Sequence, residues 1–92
     1  MEKAICTARH QALVDLIIRK RKLAGWTQAQ LAAAIGVRQS LVARIESGQR
    51  RIDVVELFCL AEALRFDPVA AIMSIERVTA PADSVRRVAS QP

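Results

Sequence analysis

Residues 31–46 read LAAAIGVRQSLVARIE. Leu31 and Ile35 sit four apart in an alanine-rich run, the spacing that places two apolar side chains on one helix face. Gly36 interrupts the run, and glycine adopts a left-handed backbone without steric cost. Val37 then returns an apolar group inward. A second helix follows from about Arg38 to Ser47, with Val42 and Ile45 turned to the core. Its polar residues Arg38, Gln39, Ser40 and Arg44 fall off that apolar stripe. The stretch therefore predicts two short helices at a fixed corner, the second with a polar outer face.

Working outward, Thr7 is a candidate cap for a helix over about 8–24, with Gly25 as its stop. Leu13, Val14, Leu16 and Ile17 give that helix an apolar stripe, and Trp26 follows as a core anchor. Thr27 is positioned to cap a helix over 28–35. Beyond the corner, Gly48 ends the third helix and Gln49-Arg50-Arg51 forms a basic loop. Asp53 and Glu56 make a D-x-x-E capping box for a fourth helix over about 54–64. Val55, Leu57, Phe58, Leu60, Ala61 and Leu64 supply its apolar content. Asp67-Pro68 starts a fifth helix, running to about Arg77. The sum is an all-α chain of five short helices. Residues 1–7 read as an N-terminal arm, 8–78 as one domain, and 79–92 as a polar tail expected to be disordered.

Composition agrees with this outline. A chain of 92 residues accommodates one domain. Apolar residues make up 52% and aromatics only 3%, which favours packed helices over a sheet sandwich. The two cysteines, Cys6 and Cys59, lie far apart and form neither a disulfide framework nor a zinc pattern. Cys59 stands in an apolar helical run and is expected to be a small core residue. With His10 as the single histidine and no phosphate-cradling glycine loop, no catalytic constellation, cofactor or metal site is expected. No signal-peptide or membrane-spanning run is visible, so a cytoplasmic protein is expected.

Charge carries the first functional signal. Residues 19–51 hold eight basic residues (Arg19, Lys20, Arg21, Lys22, Arg38, Arg44, Arg50 and Arg51) against the single acid Glu46, a net of +7. The remainder holds six basic and eight acidic residues, a net of −2, giving +5 for the chain. Positive charge is thus concentrated on the segment with the helical corner, which favours a phosphate-binding surface over an evenly solvated one. Counted from Gln28 as the first position, apolar or small residues fill the fourth, fifth, eighth, tenth, fifteenth and eighteenth places: Leu31, Ala32, Ile35, Val37, Val42 and Ile45. A helix–turn–helix needs those places apolar to hold its second helix at the angle that enters the major groove.

With these residues in view, the segment resembles the helix–turn–helix of the phage repressor/Cro family, the Xre-type regulators. The resemblance covers about residues 13–72. It rests on GWTQAQLAAAIGV, ARIESGQRR and VVELFCLAEAL. It implies a compact five-helix, lambda-repressor-like domain that binds double-stranded DNA, usually as a homodimer on a palindromic operator, and most simply represses transcription. By position it implies base contacts from Arg38, Gln39, Ser40 and Arg44, since glutamine can bond adenine and arginine guanine through two hydrogen bonds. It implies phosphate contacts from Gln28, Ser47, Gln49, Arg50 and Arg51, which position without reading sequence. Gln28 would also brace Gln39. Arg21 and Glu46 match a family ion pair that ties the first helix to the third.

Two departures stand out. Family members often have Ser or Thr where Arg38 stands, and Pro where Ile52 stands. Arg38 is therefore open between a base and a phosphate. Ser40 is open between base, phosphate and local capping, and Leu41 between a thymine methyl and packing. On the fifth helix, Val69, Ile72 and Met73 are expected to reach the core, and the surplus of Ile72, Met73, Ile75 and Val78 suggests a dimer seam. An antitoxin or a protein-interaction module on the same fold is the alternative function.

Overall fold

The computed structural model describes residues 7–78. It contains α1 (Thr7–Leu23), α2 (Gln28–Ile35), α3 (Gln39–Glu46), α4 (Val54–Leu64) and α5 (Pro68–Glu76), and no strand among the described residues. The expected tail, residues 79–92, lies outside them, as does all of the expected arm except Thr7 and, with the arm, Cys6. Thr7 is itself the first helical residue of α1 and not a cap outside it.

Backbone chemistry sets the ends of each helix. After α1 the Trp26 N–H reaches the Arg21 carbonyl at 3.1 Å and the Gly25 N–H reaches Lys22 at 3.0 Å. This paired closure requires a left-handed residue at Gly25, whose φ is +77°. A reciprocal box opens α2: Thr27 Oγ1 accepts the Gln30 N–H at 3.1 Å, and Gln30 Oε1 accepts the Thr27 N–H at 2.8 Å. Gly36, also at φ +77°, lets the Val37 N–H return to the Ala32 carbonyl at 3.0 Å. That closure swings Val37 onto the core and aims α3. The N-cap of α3 is Arg38, which makes no side-chain capping bond. Asp53 and Glu56 box α4, and Asp67 caps α5 ahead of Pro68.

The core is one cluster. Ile17 of α1, Leu31 of α2, Val42 of α3 and Leu60 of α4 are fully enclosed, with Leu16, Ala32, Leu57, Leu64 and Ala71 around them. Trp26, Ile35, Val37 and Ile52 pack on its edge half-buried. Ala32 is buried on α2, which packs on α3 and α4. Fixing α5 against α1, Arg9 donates through Nε to the Val78 carbonyl at 3.0 Å and through Nη2 to Glu76 at 2.8 Å.

Several side chains face otherwise than the sequence suggests. On α4 the buried stripe is Leu57, Leu60, Ala61 and Leu64, at the i, i+3, i+4, i+7 spacing. Val55 and Phe58 lie off that stripe and are exposed. So is Cys59, which is not a core residue. On α5 the residue that reaches the core is Ala71, whose small side chain suits close packing against α1. Val69, Ile72 and Met73, expected to reach the core, are 61%, 44% and 52% exposed. Both helices are apolar nearly all round, so periodicity alone does not choose their inward face.

One helix end is strained. Arg65 closes α4 at φ 60°, allowing the Phe66 N–H to reach the Ala61 carbonyl at 3.0 Å. A side chain with a Cβ meets a steric penalty in that conformation which glycine avoids. Arg65→Gly is therefore expected to stabilise the fold by about 0.5–1 kcal/mol after the added chain entropy of glycine is subtracted. Chemical denaturation read by helical circular dichroism checks this, and an unchanged or lower midpoint would count against it.

Candidate nucleic-acid interface

The interface is built on a brace. Arg21, in the last turn of α1, donates from Nε to Glu46 Oε2 at 2.6 Å and from Nη2 to Glu46 Oε1 at 2.9 Å. Its Nη1 donates to the Trp26 carbonyl at 2.8 Å. One guanidinium thus joins α1, the turn into α2 and the last residue of α3. The side chains are only 12% and 6% exposed, so two charges have been taken from water and are matched by short, two-pronged bonds. Those hydrogen bonds raise the Arg21 pKa further, against the opposing effect of burial.

From Glu46 the network continues. Gln28, the first residue of α2, donates through Nε2 to Glu46 Oε1 at 2.9 Å. Its Oε1 accepts from Gln39 Nε2 at 3.1 Å. Gln39 and Glu46 are seven residues apart, two turns along one face of α3, and Gln28 lies across that face from α2. The order of atoms follows from chemistry. An ionised carboxylate only accepts, so it draws the NH₂ of Gln28. The oxygen of Gln28 is left for Gln39, whose NH₂ must turn back toward it. Gln39 then retains one N–H and its carbonyl oxygen facing outward.

Around this network the other sequence candidates take distinct places. Arg38 and Ser40 are exposed beside Gln39 at the start of α3, and Arg44 is exposed one turn beyond. Arg38, Arg44 and Arg51 make no side-chain hydrogen bond or ion pair among the described residues. Leu41 is half-buried in a small apolar cleft with Ile35, Val37, Ile45 and Leu60, a packing position. At the α2 N-terminus the capping box and the Leu31-to-Thr27 bond leave the N–H groups of Gln28 and Ala29 without helical acceptors.

After α3, Ser47 Oγ donates to the Arg44 carbonyl at 3.1 Å, and the backbone N–H groups of Gln49 and Arg50 reach the same carbonyl at 3.0 and 3.2 Å. Gln49 and Arg51 are exposed. Arg50 is engaged by Glu56, with Nη1 to Oε1 at 2.9 Å and Nη2 to Oε2 at 2.6 Å. The arginine bonds, followed by the backbone N–H of Asp53, hold the Glu56 carboxyl below its ordinary range. The sequence marks Glu56 for the capping box and gives no sign of its link to Arg50, because one glutamate serving both roles leaves no second mark. Ile72, Met73, Ile75 and Val78 lie apart from this network, on and just beyond α5, which packs on α1 and α4. Among the described residues no group of three or more His, Cys, Asp or Glu is placed to hold a metal, and no helix is long and apolar enough to cross a membrane.

The geometry agrees with comparisons to known proteins. The helix-turn-helix family model matches residues 17–70, more than half of the chain. The solved structure of an XRE-family like protein from Pseudomonas syringae pv. tomato str. DC3000 is 41% identical, with a TM-score of 0.72. That match covers 79% of this chain and 89% of the other. No curated protein matches. A recessed brace beneath an exposed, basic second helix, together with this extent of similarity, places the chain in the Xre family of helix-turn-helix DNA-binding regulators.

Proposed function

We propose that the protein is a dimeric repressor that reads a palindromic double-stranded operator with α3. The observation that carries this reading is the chain of bonds from Glu46 through Gln28 to Gln39. It leaves Gln39 with one outward N–H and one outward oxygen, the complement of adenine N7 and N6–H in the major groove. Arg44 supplies the two-pronged donor that suits guanine O6 and N7. Ser40 and Arg38 flank these readers, and Arg38 would serve either a base or the phosphate beside it.

Phosphate contacts would surround the readers. The unpaired N–H groups at the start of α2 and the second amide hydrogen of Gln28 would face one strand, and Gln49 and Arg51 the other end of α3, where Ser47 already spends its hydroxyl hydrogen on the Arg44 carbonyl. Arg50 stands apart from these because Glu56 already holds its guanidinium. A second copy would dock through Ile72, Met73, Ile75 and Val78, of which Ile72 and Met73 are the more exposed. A two-fold pair of α3 helices spaced by one DNA turn reads a palindrome, and occupying such a site excludes other proteins from it.

Selection of bound duplexes from a random pool tests the reading. A palindrome with half-sites about 10–10.5 bp apart is expected. Failure to enrich any sequence would overturn it. On the selected operator, Gln39→Ala and Arg44→Ala should each cost about 1–3 kcal/mol, with relaxed preference at one base pair per half-site. Gln28→Leu removes the amide that links Glu46 to Gln39 and leaves the Arg21–Glu46 bonds in place. It should weaken adenine preference at the Gln39 position. Retention of full adenine preference in that variant would sink the ordered-amide assignment. Ile72→Asp with Met73→Asp should sediment as monomer and bind the operator at least about tenfold more weakly, since linked half-sites no longer reinforce each other.

A further inference from the structure

We propose that Arg50 is a positioning residue, which acts through Glu56 to set the turn between α3 and α4 and does not itself contact phosphate. The inference rests on the DNA-binding reading above and assigns a role within it. The turn runs from Ser47 to Asp53 and contains no proline to stiffen it. Its first half is anchored to α3 by the Gln49 and Arg50 N–H groups on the Arg44 carbonyl. Its second half depends on the Arg50 side chain. Nη1 donates both to the Arg51 carbonyl at 2.9 Å and to Glu56 Oε1 at 2.9 Å, while Nη2 donates to Glu56 Oε2 at 2.6 Å. The same Glu56 Oε1 accepts the Asp53 N–H at 3.0 Å, and Asp53 Oδ1 accepts the Glu56 N–H at 2.7 Å. Arg51 therefore stands between two fixed points, its carbonyl held by Arg50 and Asp53 held by the first turn of α4.

Charge separates the two arginines. The Arg50 and Glu56 side chains are 32% and 29% exposed and cancel one another at contact distance. A phosphate approaching Arg50 meets the Glu56 carboxylate beside it. Arg51 is exposed, without an ion pair among the described residues, and its backbone is fixed by its neighbour. Arg50 thus supplies geometry, and Arg51 supplies the charge that DNA meets.

Binding of the full chain to a mixed-sequence DNA duplex over a salt series tests this, with Arg50→Gln, Arg50→Lys, Glu56→Gln and the Arg50→Gln/Glu56→Gln pair. The amide oxygen introduced by Glu56→Gln can still accept the Asp53 N–H, so the cap of α4 survives, and thermal unfolding verifies that each variant is folded. If Arg50 positions, Arg50→Gln weakens binding about three- to tenfold with the slope of log K against log salt unchanged. Lysine, which lacks the two-pronged fit, does not restore it. Glu56→Gln weakens binding although it removes a negative charge, and the double variant is no weaker than the worse single one. Arg51→Gln lowers the slope by about 0.9. If Arg50 contacts phosphate, Arg50→Gln lowers the slope by about 0.9, lysine substitutes for it, and Glu56→Gln tightens binding. Any of those three results overturns the proposal. A wild-type chain that binds no duplex at low salt is a different failure, that of the DNA-binding reading itself.

Discussion

The bond between Arg21 and Glu46 is the constraint on which the presenting surface depends. It joins the end of α1 to the end of α3 across the start of α2, so it fixes three elements with one pair of side chains. Two charges nearly hidden from water are costly unless every prong is matched, and a mismatch by one atom leaves an unpaired charge. That cost makes the pair selective. Only one placement of α3 against α1 satisfies it, whereas apolar burial is non-directional. The core holds the helices together, and the ion pair selects the register in which they stop.

The same carboxylate also gives direction to the polar surface. Glutamine can turn its amide either way at little cost in water, so an isolated Gln39 has no fixed order of donor and acceptor. Contact with an acceptor-only group removes that freedom for Gln28, and Gln28 removes it for Gln39. Order established in a nearly buried place is thereby carried two bonds outward to an exposed one. Preorganisation of this kind reduces the entropy lost on binding a ligand, which in the proposed reading is a base edge.

Much of this is legible in the sequence where local chemistry decides the outcome. Thr27, Gly36, Asp53 with Glu56, and Asp67 with Pro68 mark the ends of α2, α4 and α5 because caps and left-handed corners are local events. The helix–turn–helix residues are legible because a short amphipathic α3 has one apolar stripe to offer, Val42 and Ile45. Orientation of α4 and α5 is not legible. Val55, Phe58, Cys59, Val69 and Ile72 match the apolar character of the residues beside them that are buried, and the choice among faces is made by packing against α1 and α2. Arg50 shows the same limit among polar residues. Its neighbours Gln49 and Arg51 are exposed, and only the return of the chain at Glu56 distinguishes it.

An acid within a basic segment ought to weaken its attraction for phosphate, yet Glu46 has little such effect. It is nearly buried and neutralised by Arg21 at 2.6 Å, so at the distance of a DNA backbone the pair acts as a small dipole. Arg50 and Glu56 cancel in the same way at the other end of α3. What remains outward is Arg38, Arg44 and Arg51 on and beside α3, with Arg19 and Lys22 exposed near the end of α1. The arginines of the segment therefore divide by burial into two kinds. Those paired with a carboxylate hold shape, and those left in water hold charge. Because the two kinds occupy different residues, the exposed charge can change without loosening the corner that aims α3.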